Sequence, residues 1–246
     1  MKKLFFLLLS FISIQCSLLA QVPSNEKFTA LLKKNVDSKG LVDYKAIKAN
    51  KEKLQDYLDL ISKEKPADDW NKDEKMAFWI NAYNAYTIKL IVDNYPVKSI
   101  KDLNPKVSIV YVSTIWDKKF FSIGGEKMSL NMIENRILRK MDDPRIHFAI
   151  NCASMSCPEM LNEAYEAKKL DKQLTQQAKK FLADKSRNDI DAKSPKISNI
   201  FNWFGKDFKN KGQTVIDFIN KFSSVKINKD AEVSYMDYSW KLNEQK

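Results

Sequence analysis

The stretch 71–95, NKDEKMAFWINAYNAYTIKLIVDNY, decides the fold. Asn71 or Asp73 opens a helix there, and Pro96 stops it just past Tyr95. Between them, Met76 to Val92 is apolar almost all round. A helix without a polar face has to be buried, so this is the expected central element. Asn81 and Asn84 lie three apart and share one face. Each unpaired buried amide group costs ~1–3 kcal/mol, so both need partners, and bonding to a neighbouring strand or loop is favoured over lining a pocket. Trp79 and Tyr83, four apart on another face, read as core.

Elements are then read outward from this helix. On its N-terminal side, 24–35 reads as a short helix capped by Ser24 or Asn25, and 46–62 as one amphipathic helix with Ile47, Leu54, Tyr57, Leu58 and Ile61 at helical spacing. On the other side, the β-branched stretch 107–113 reads as a strand. Phe120 to Ile123 and Lys127 to Ser129 flank Gly124-Gly125, a hairpin signal. Ser129 can cap a helix over 130–140. Residues 145–151 read as a strand with Ile146, Phe148 and Ile150 on one face. Helices are expected at 170–184 and 214–222, an aromatic-rich segment at 200–209 and a last strand at 233–240. In that aromatic segment, Phe201, Trp203, Phe204 and Phe208 favour a cap over the core rather than a carbohydrate platform. The sum is a helix-dominant α+β fold, one compact domain over 21–246 with a small antiparallel sheet.

Residues 1–20 read as an export signal. Lys2 and Lys3 precede the apolar runs Leu4 to Leu9 and Phe11 to Ile14, and Leu18-Leu19-Ala20 offers a small residue before a cut. Cleavage after Ala20 is favoured over lipidation at Cys16, because Ile14 and Gln15 stand where a lipobox has small residues. That signal predicts an exported protein, periplasmic or secreted, and no later segment is long and apolar enough to span a bilayer, so the mature chain is expected to be soluble or peripheral. The net charge of +11 suggests anionic envelope polymers or lipids as partners. The lysines are dispersed among acids, however, and no aromatic-basic pattern points to nucleic acid.

Chemistry concentrates in 145–158, RIHFAINCASMSCP. It holds His147, the chain's one histidine, together with Cys152 and Cys157, the two cysteines downstream of the signal. A thiol beside an imidazole gains thiolate character and attacks acyl groups. In that reading Cys152 is the nucleophile with Cys157 as its alternative, His147 is the base, and Asn81 or Glu134 orients it. An extended strand would hold His147 and Cys152 ~16 Å apart, so the pair meets only if the chain curls after Ala149. Three other readings stand beside it. Cys152 and Cys157 form a short-loop disulfide, both are buried free thiols, or they ligate a metal with Glu134. His-x4-Cys-x4-Cys is not a zinc spacing, and no glycine-rich phosphate loop occurs, so no metal and no cofactor are expected. Glu134 also reads as an early-turn acid with Arg145 as candidate ion partner.

Several segments together resemble the family DUF547, a domain of unknown function. They are EKMAFWINAYNA at 74–85, SLNMIE at 129–134, DPRIHFAINCAS at 143–154, SCP at 156–158 and YMDYSWKLN at 235–243. Where members often read Ile-Glu-His, this chain has Ile133-Glu134-Asn135. If that histidine carries chemistry in relatives, it is altered here. The resemblance implies no assigned activity. Two functional expectations follow from the residues: a cysteine-dependent acyl or amide hydrolase or transferase acting on a peptide or acyl substrate, or a non-catalytic envelope binding or scaffold module with structural cysteines.

Overall fold

In the computed structural model, which describes residues 22–63, 65–106, 113–209 and 212–246, the 71–95 stretch forms helix α4, Lys72–Asn94. Its start is fixed by a capping box: the Asn71 side chain accepts from Glu74 N–H while Glu74 accepts from Asn71 N–H. From Met76 to Val92 every residue but Lys89 is buried, as an apolar circumference demands. Ile80, Ile88 and Ile91 are wholly inaccessible, and each such side chain contributes roughly 1.5–3 kcal/mol.

Helices α1 (Glu26–Asn35), α2 (Tyr44–Ala49) and α3 (Lys51–Ser62) precede it, and α2 and α3 pack directly against it. The single helix expected over 46–62 is two helices. Asn50, at φ −133°, turns its amide back onto Ala46 O at 3.2 Å and interrupts the ladder, the known competition of Asn side chains with helical bonding. Phe28 of α1 stacks on Tyr57 of α3 at 4.6 Å. At Gly40, φ +70°, the turn after α1 lies against Glu159, so close that a Cβ would sit 2.5 Å from the Glu159 side chain.

The hairpin forms as read. Strands β1 (Phe121–Ile123) and β2 (Glu126–Met128) pair antiparallel across Gly124-Gly125. The expected strand at 107–113 falls almost wholly outside the described residues. Ser129 Oγ accepts from Met132 N–H, as expected of a cap, but the helix it opens widens into a π-helical turn over Met132–Ile137 and then tightens into a 3-10 turn, Leu138–Met141. Such widened turns inside helices recur at functional sites.

The strand expected at 145–151 is not there. Pro144–Phe148 is a 3-10 helix, begun by the Asp143 side chain accepting from Arg145 N–H with Pro144 in the first turn. The alternation misled because both faces are covered: Ile146, His147, Phe148, Ala149, Ile150 and Asn151 are all buried. Phe148 faces a second apolar cluster, while Ile146 and Ile150 belong to the cluster around α4.

That second cluster gathers α5 (Leu170–Ala183), the short helices α6 (Ile200–Trp203) and α7 (Gly205–Phe208), and α8 (Val215–Phe222). Phe148, Phe181, Phe201, Phe208 and Phe218 form its ring-on-ring interior. The last strand is shorter than read: β4 (Ser234–Tyr235) pairs in parallel with β3 (Lys196–Ile197). Beyond it the chain passes Ser154 and ends beside Val42 as isolated bridges. Among the described residues the fold is α+β and helix-dominant, with the small antiparallel hairpin expected.

Candidate active site

The loop after the 3-10 helix is held from both ends by one side chain. Asn151 Oδ1 accepts from Ala153 N–H at 2.8 Å, and Asn151 Nδ2 donates to Pro158 O at 2.7 Å. Asn243 Nδ2 adds a bond to the same Asn151 oxygen. Ala153 takes the left-handed conformation, φ 59°, which costs a non-glycine residue ~1–2 kcal/mol and persists only where its surroundings enforce it. A turn from Ser154 O to Cys157 N–H then reverses the chain. Arg187 Nε donates to Cys157 O at 2.8 Å, and Lys241 O takes Met155 N–H.

This reversal brings Cys152 and Cys157 together, with their Sγ atoms 2.6 Å apart and both thiols free. Cys152 N–H also donates to Cys157 Sγ at 2.9 Å. The two are not equivalent. Cys157 is buried, whereas Cys152 is partly exposed. Burial pushes the Cys152 thiol up, but hydrogen bonds from Cys157, Ser154 and Tyr238 outweigh it and bring its pKa down to about 7. The Cys157 thiol moves the other way, raised by burial and by its neighbour. Ser154 Oγ and Tyr238 OH lie 3.2 and 3.3 Å from Cys152 Sγ.

Cys152 opens onto a cavity of about 210 Å³ at the seam between the two apolar clusters. One wall is polar, with Glu134, Asn131 and Asn135 from the π-helical turn, Tyr83 from α4 and His147. Much of the remaining lining is aromatic: Trp116, Trp203, Phe204, Tyr238 and Trp240. Trp203 and Trp240 lie nearly parallel with centroids 5.9 Å apart, and Trp203 is 47% exposed. The expected aromatic cap therefore divides. Phe201 and Phe208 are core, while Trp203 and Phe204 face the cavity.

His147 is nearly inaccessible and stacks on Phe204 at 4.1 Å. Its Nε2 meets Asp207 Oδ2 at 2.8 Å, and Arg139 holds both carboxylate oxygens of Asp207 at 2.6 and 2.8 Å. Burial lowers the His147 pKa against the pull of Asp207, so the ring is neutral near pH 7. A neutral ring facing a carboxylate donates from Nε2, which leaves Nδ1 as the basic nitrogen. Asp207 is itself raised by burial, but its bonds from His147 and Arg139 dominate and hold it well below the usual carboxylate range.

Glu134 is not paired with Arg145, which bonds Asp143, Asp171 and Thr175 instead. Its partner is Tyr83 OH at 3.4 Å. Burial, reinforced by the nearby Cys152, pushes the Glu134 carboxyl up to about 7. Asn135 accepts from Arg139 Nη1 at 2.5 Å and donates to Asn131, so it joins the chain of bonds leading to Asp207 and His147.

Of the residues singled out from the sequence, Cys152, Cys157, His147 and Glu134 line one cavity. Asn81 does not. Its amide bonds both backbone groups of Tyr165, at 2.8 Å each. Asn84 likewise bonds Ala149 O and Asn151 N–H, which anchors the reactive loop from below. No hydrogen bond joins His147 to Cys152 among the described residues. Asp207, Tyr238 and Ser154 escaped notice. Their sole signal was position: an acid inside the aromatic segment 200–209, and polar residues within segments 235–243 and 143–154.

The model of the family described as "Protein of unknown function, DUF547" matches residues 67–182. The chain carries a DUF547 domain. No curated protein and no solved structure matches the chain. Within the DUF547 match fall Tyr83, Glu134, His147, Cys152 and Cys157. Asp207, Trp203, Tyr238 and Trp240 complete the cavity from beyond it, as does the tail segment 235–243.

Proposed function

We propose that this cavity performs thiol-dependent acyl chemistry, the transfer or hydrolysis of an ester or amide, with Cys152 as nucleophile. The observation that carries this reading is the setting of Cys152: a partly exposed thiol with the Ser154 and Tyr238 hydroxyls 3.2 and 3.3 Å from its sulfur, at the wall of a cavity that also presents Glu134 and His147. Those hydrogen bonds hold the thiol below its usual pKa and so raise its thiolate fraction near neutral pH. The thiolate attacks the carbonyl carbon, a C–S bond forms, and the carbonyl π pair moves to oxygen. Ser154 and Tyr238 stand beside the sulfur as donors to that oxygen. Collapse breaks the bond to the leaving group, which takes a proton from Glu134, half protonated near pH 7. His147 Nδ1 then deprotonates the water or acceptor that attacks the thioester. Asp207 orients the imidazole, the role the sequence had offered to Asn81 or Glu134. The aromatic wall suits an apolar acyl group. The leader read in 1–20 supports an exported setting, where the basic surplus favours an anionic envelope component as carrier of the acyl group.

The test is a burst assay on reduced protein with p-nitrophenyl esters of graded acyl length. One equivalent of p-nitrophenolate per protein, with the acyl group mapped to Cys152 and absent in Cys152→Ser, is the expected result. An unmodified Cys152 after exposure to every ester would overturn the reading.

A further inference from the structure

We propose that Cys152 and Cys157 form a reversible thiol–disulfide couple in which Cys152 attacks first and Cys157 resolves, giving this protein a disulfide-exchange activity that also closes the acyl site. The proposal uses the placement of Cys152 in the cavity but not its acyl chemistry. Three observations carry it. The sulfurs are already in contact, at 2.6 Å. Their accessibilities differ in the sense an exchange pair needs, with Cys152 open to the cavity and Cys157 buried. The loop between them is pinned in its reversed form by Asn151, the left-handed Ala153 and Arg187, so bonding the sulfurs requires no refolding of the loop. The opposite displacement of the two thiol pKa values agrees, since attack belongs to the more acidic, accessible thiol.

The co-reactant is a low-molecular-weight disulfide. Cys152 thiolate attacks one of its sulfurs, a mixed S–S bond forms, the original S–S bond breaks and one small thiolate leaves. Cys157 loses its proton to that thiolate and attacks the Cys152 sulfur. The internal disulfide forms as the second small thiolate departs. Two cysteine thiols are oxidised and one small disulfide is reduced to two thiols.

The experiment treats reduced protein carrying Cys16→Ser, so that Cys152 and Cys157 are its two thiols, with bis(2-hydroxyethyl) disulfide and follows intact mass and alkylatable thiols, then adds dithiothreitol. This parent protein is expected to lose two hydrogens and both thiols, with little adduct, and to recover both on reduction under native conditions. Cys157→Ser is expected to stop at the mixed disulfide on Cys152, its lifetime longer by about tenfold or more. Cys157→Ala, with its thermal melt recorded, repeats the arm should serine disturb the loop. Three results would each overturn the couple: thiols that stay alkylatable in excess disulfide, an adduct on the parent as durable as on Cys157→Ser, or an internal disulfide that dithiothreitol reduces only after denaturation. The ester burst is run on the same reduced sample. A missing burst beside an intact couple removes the acyl reading alone, and a failed couple beside a normal burst removes this inference alone.

Discussion

Two sets of polar side chains sit among apolar neighbours in this protein, and they differ in how completely they are bonded. On α4, Asn81 and Asn84 each donate and accept once, both times to backbone groups, and neither lines the cavity. Around the cavity, Glu134 has a 3.4 Å bond from Tyr83 and a carboxyl raised to about 7, and Cys152 meets the Ser154 and Tyr238 hydroxyls at the edge of a void. The first set is satisfied and fixes the chain. The second keeps capacity that a ligand can complete, and it does so at the expense of stability.

The contrast predicts mutations of opposite sign. Asn84→Ala strands Ala149 O and Asn151 N–H in a dry interior. Unfolding by urea or heat is expected to show a loss of about 3 kcal/mol, roughly 6–12 °C in Tm. A loss under about 1 kcal/mol would mean that water enters and that α4 is looser than its burial implies.

Glu134→Gln tests the other set. A carboxyl whose folded pKa lies above its unfolded value of ~4.3 holds more protons in the native state between the two, so native stability falls as pH rises through that window. The stabilisation is full below about pH 4 and is lost as pH climbs past about 7. Glutamine carries no charge, so the variant is expected to be more stable than wild type by about 1–3 kcal/mol at pH 8 and nearly equal to it at pH 4. Denaturant melts at the two pH values read this directly. A variant less stable at pH 8 would place Glu134 with Asn84, as a structural group.

The same distinction explains what was legible from sequence. Asn81 and Asn84 were recognisable as needing partners because their helix is apolar on every side, and the hairpin was legible because Gly124-Gly125 imposes a turn. Residues 145–151 were misread because alternation carries information only when one face meets water, and here both faces are buried. The cavity residues Cys152, His147 and Glu134 were legible by chemical type. Their partners were not, since Asp207 lies 60 residues from His147 and Tyr238 86 residues from Cys152. Nothing in local periodicity records a contact made across two apolar clusters. The π-helical turn was equally silent. Its widening is fixed by Leu138 N–H reaching back to Ile133 O and Glu134 O, a choice of tertiary packing rather than propensity.

The smallest effect expected on stability separates the aromatic wall from the aromatic core. Trp203 and Phe201 are two residues apart, yet Phe201 is buried among rings and Trp203 is nearly half exposed beside Tyr238, at 4.7 Å, and Trp240. Trp203→Ala should therefore cost about 1 kcal/mol or less in a thermal melt, against roughly 3–5 kcal/mol for Phe201→Ala. Its consequence belongs to the ligand. In the ester series, acylation of Cys152 by long apolar acyl groups should slow severalfold more than acylation by acetyl, because only the long chain reaches the wall that tryptophan builds. A melt as damaging as that of Phe201→Ala, with acyl-length preference unchanged, would return Trp203 to the core and leave the cavity without its apolar wall. A small stability loss with a flattened length preference would make Trp203 the residue by which this cavity measures what it binds.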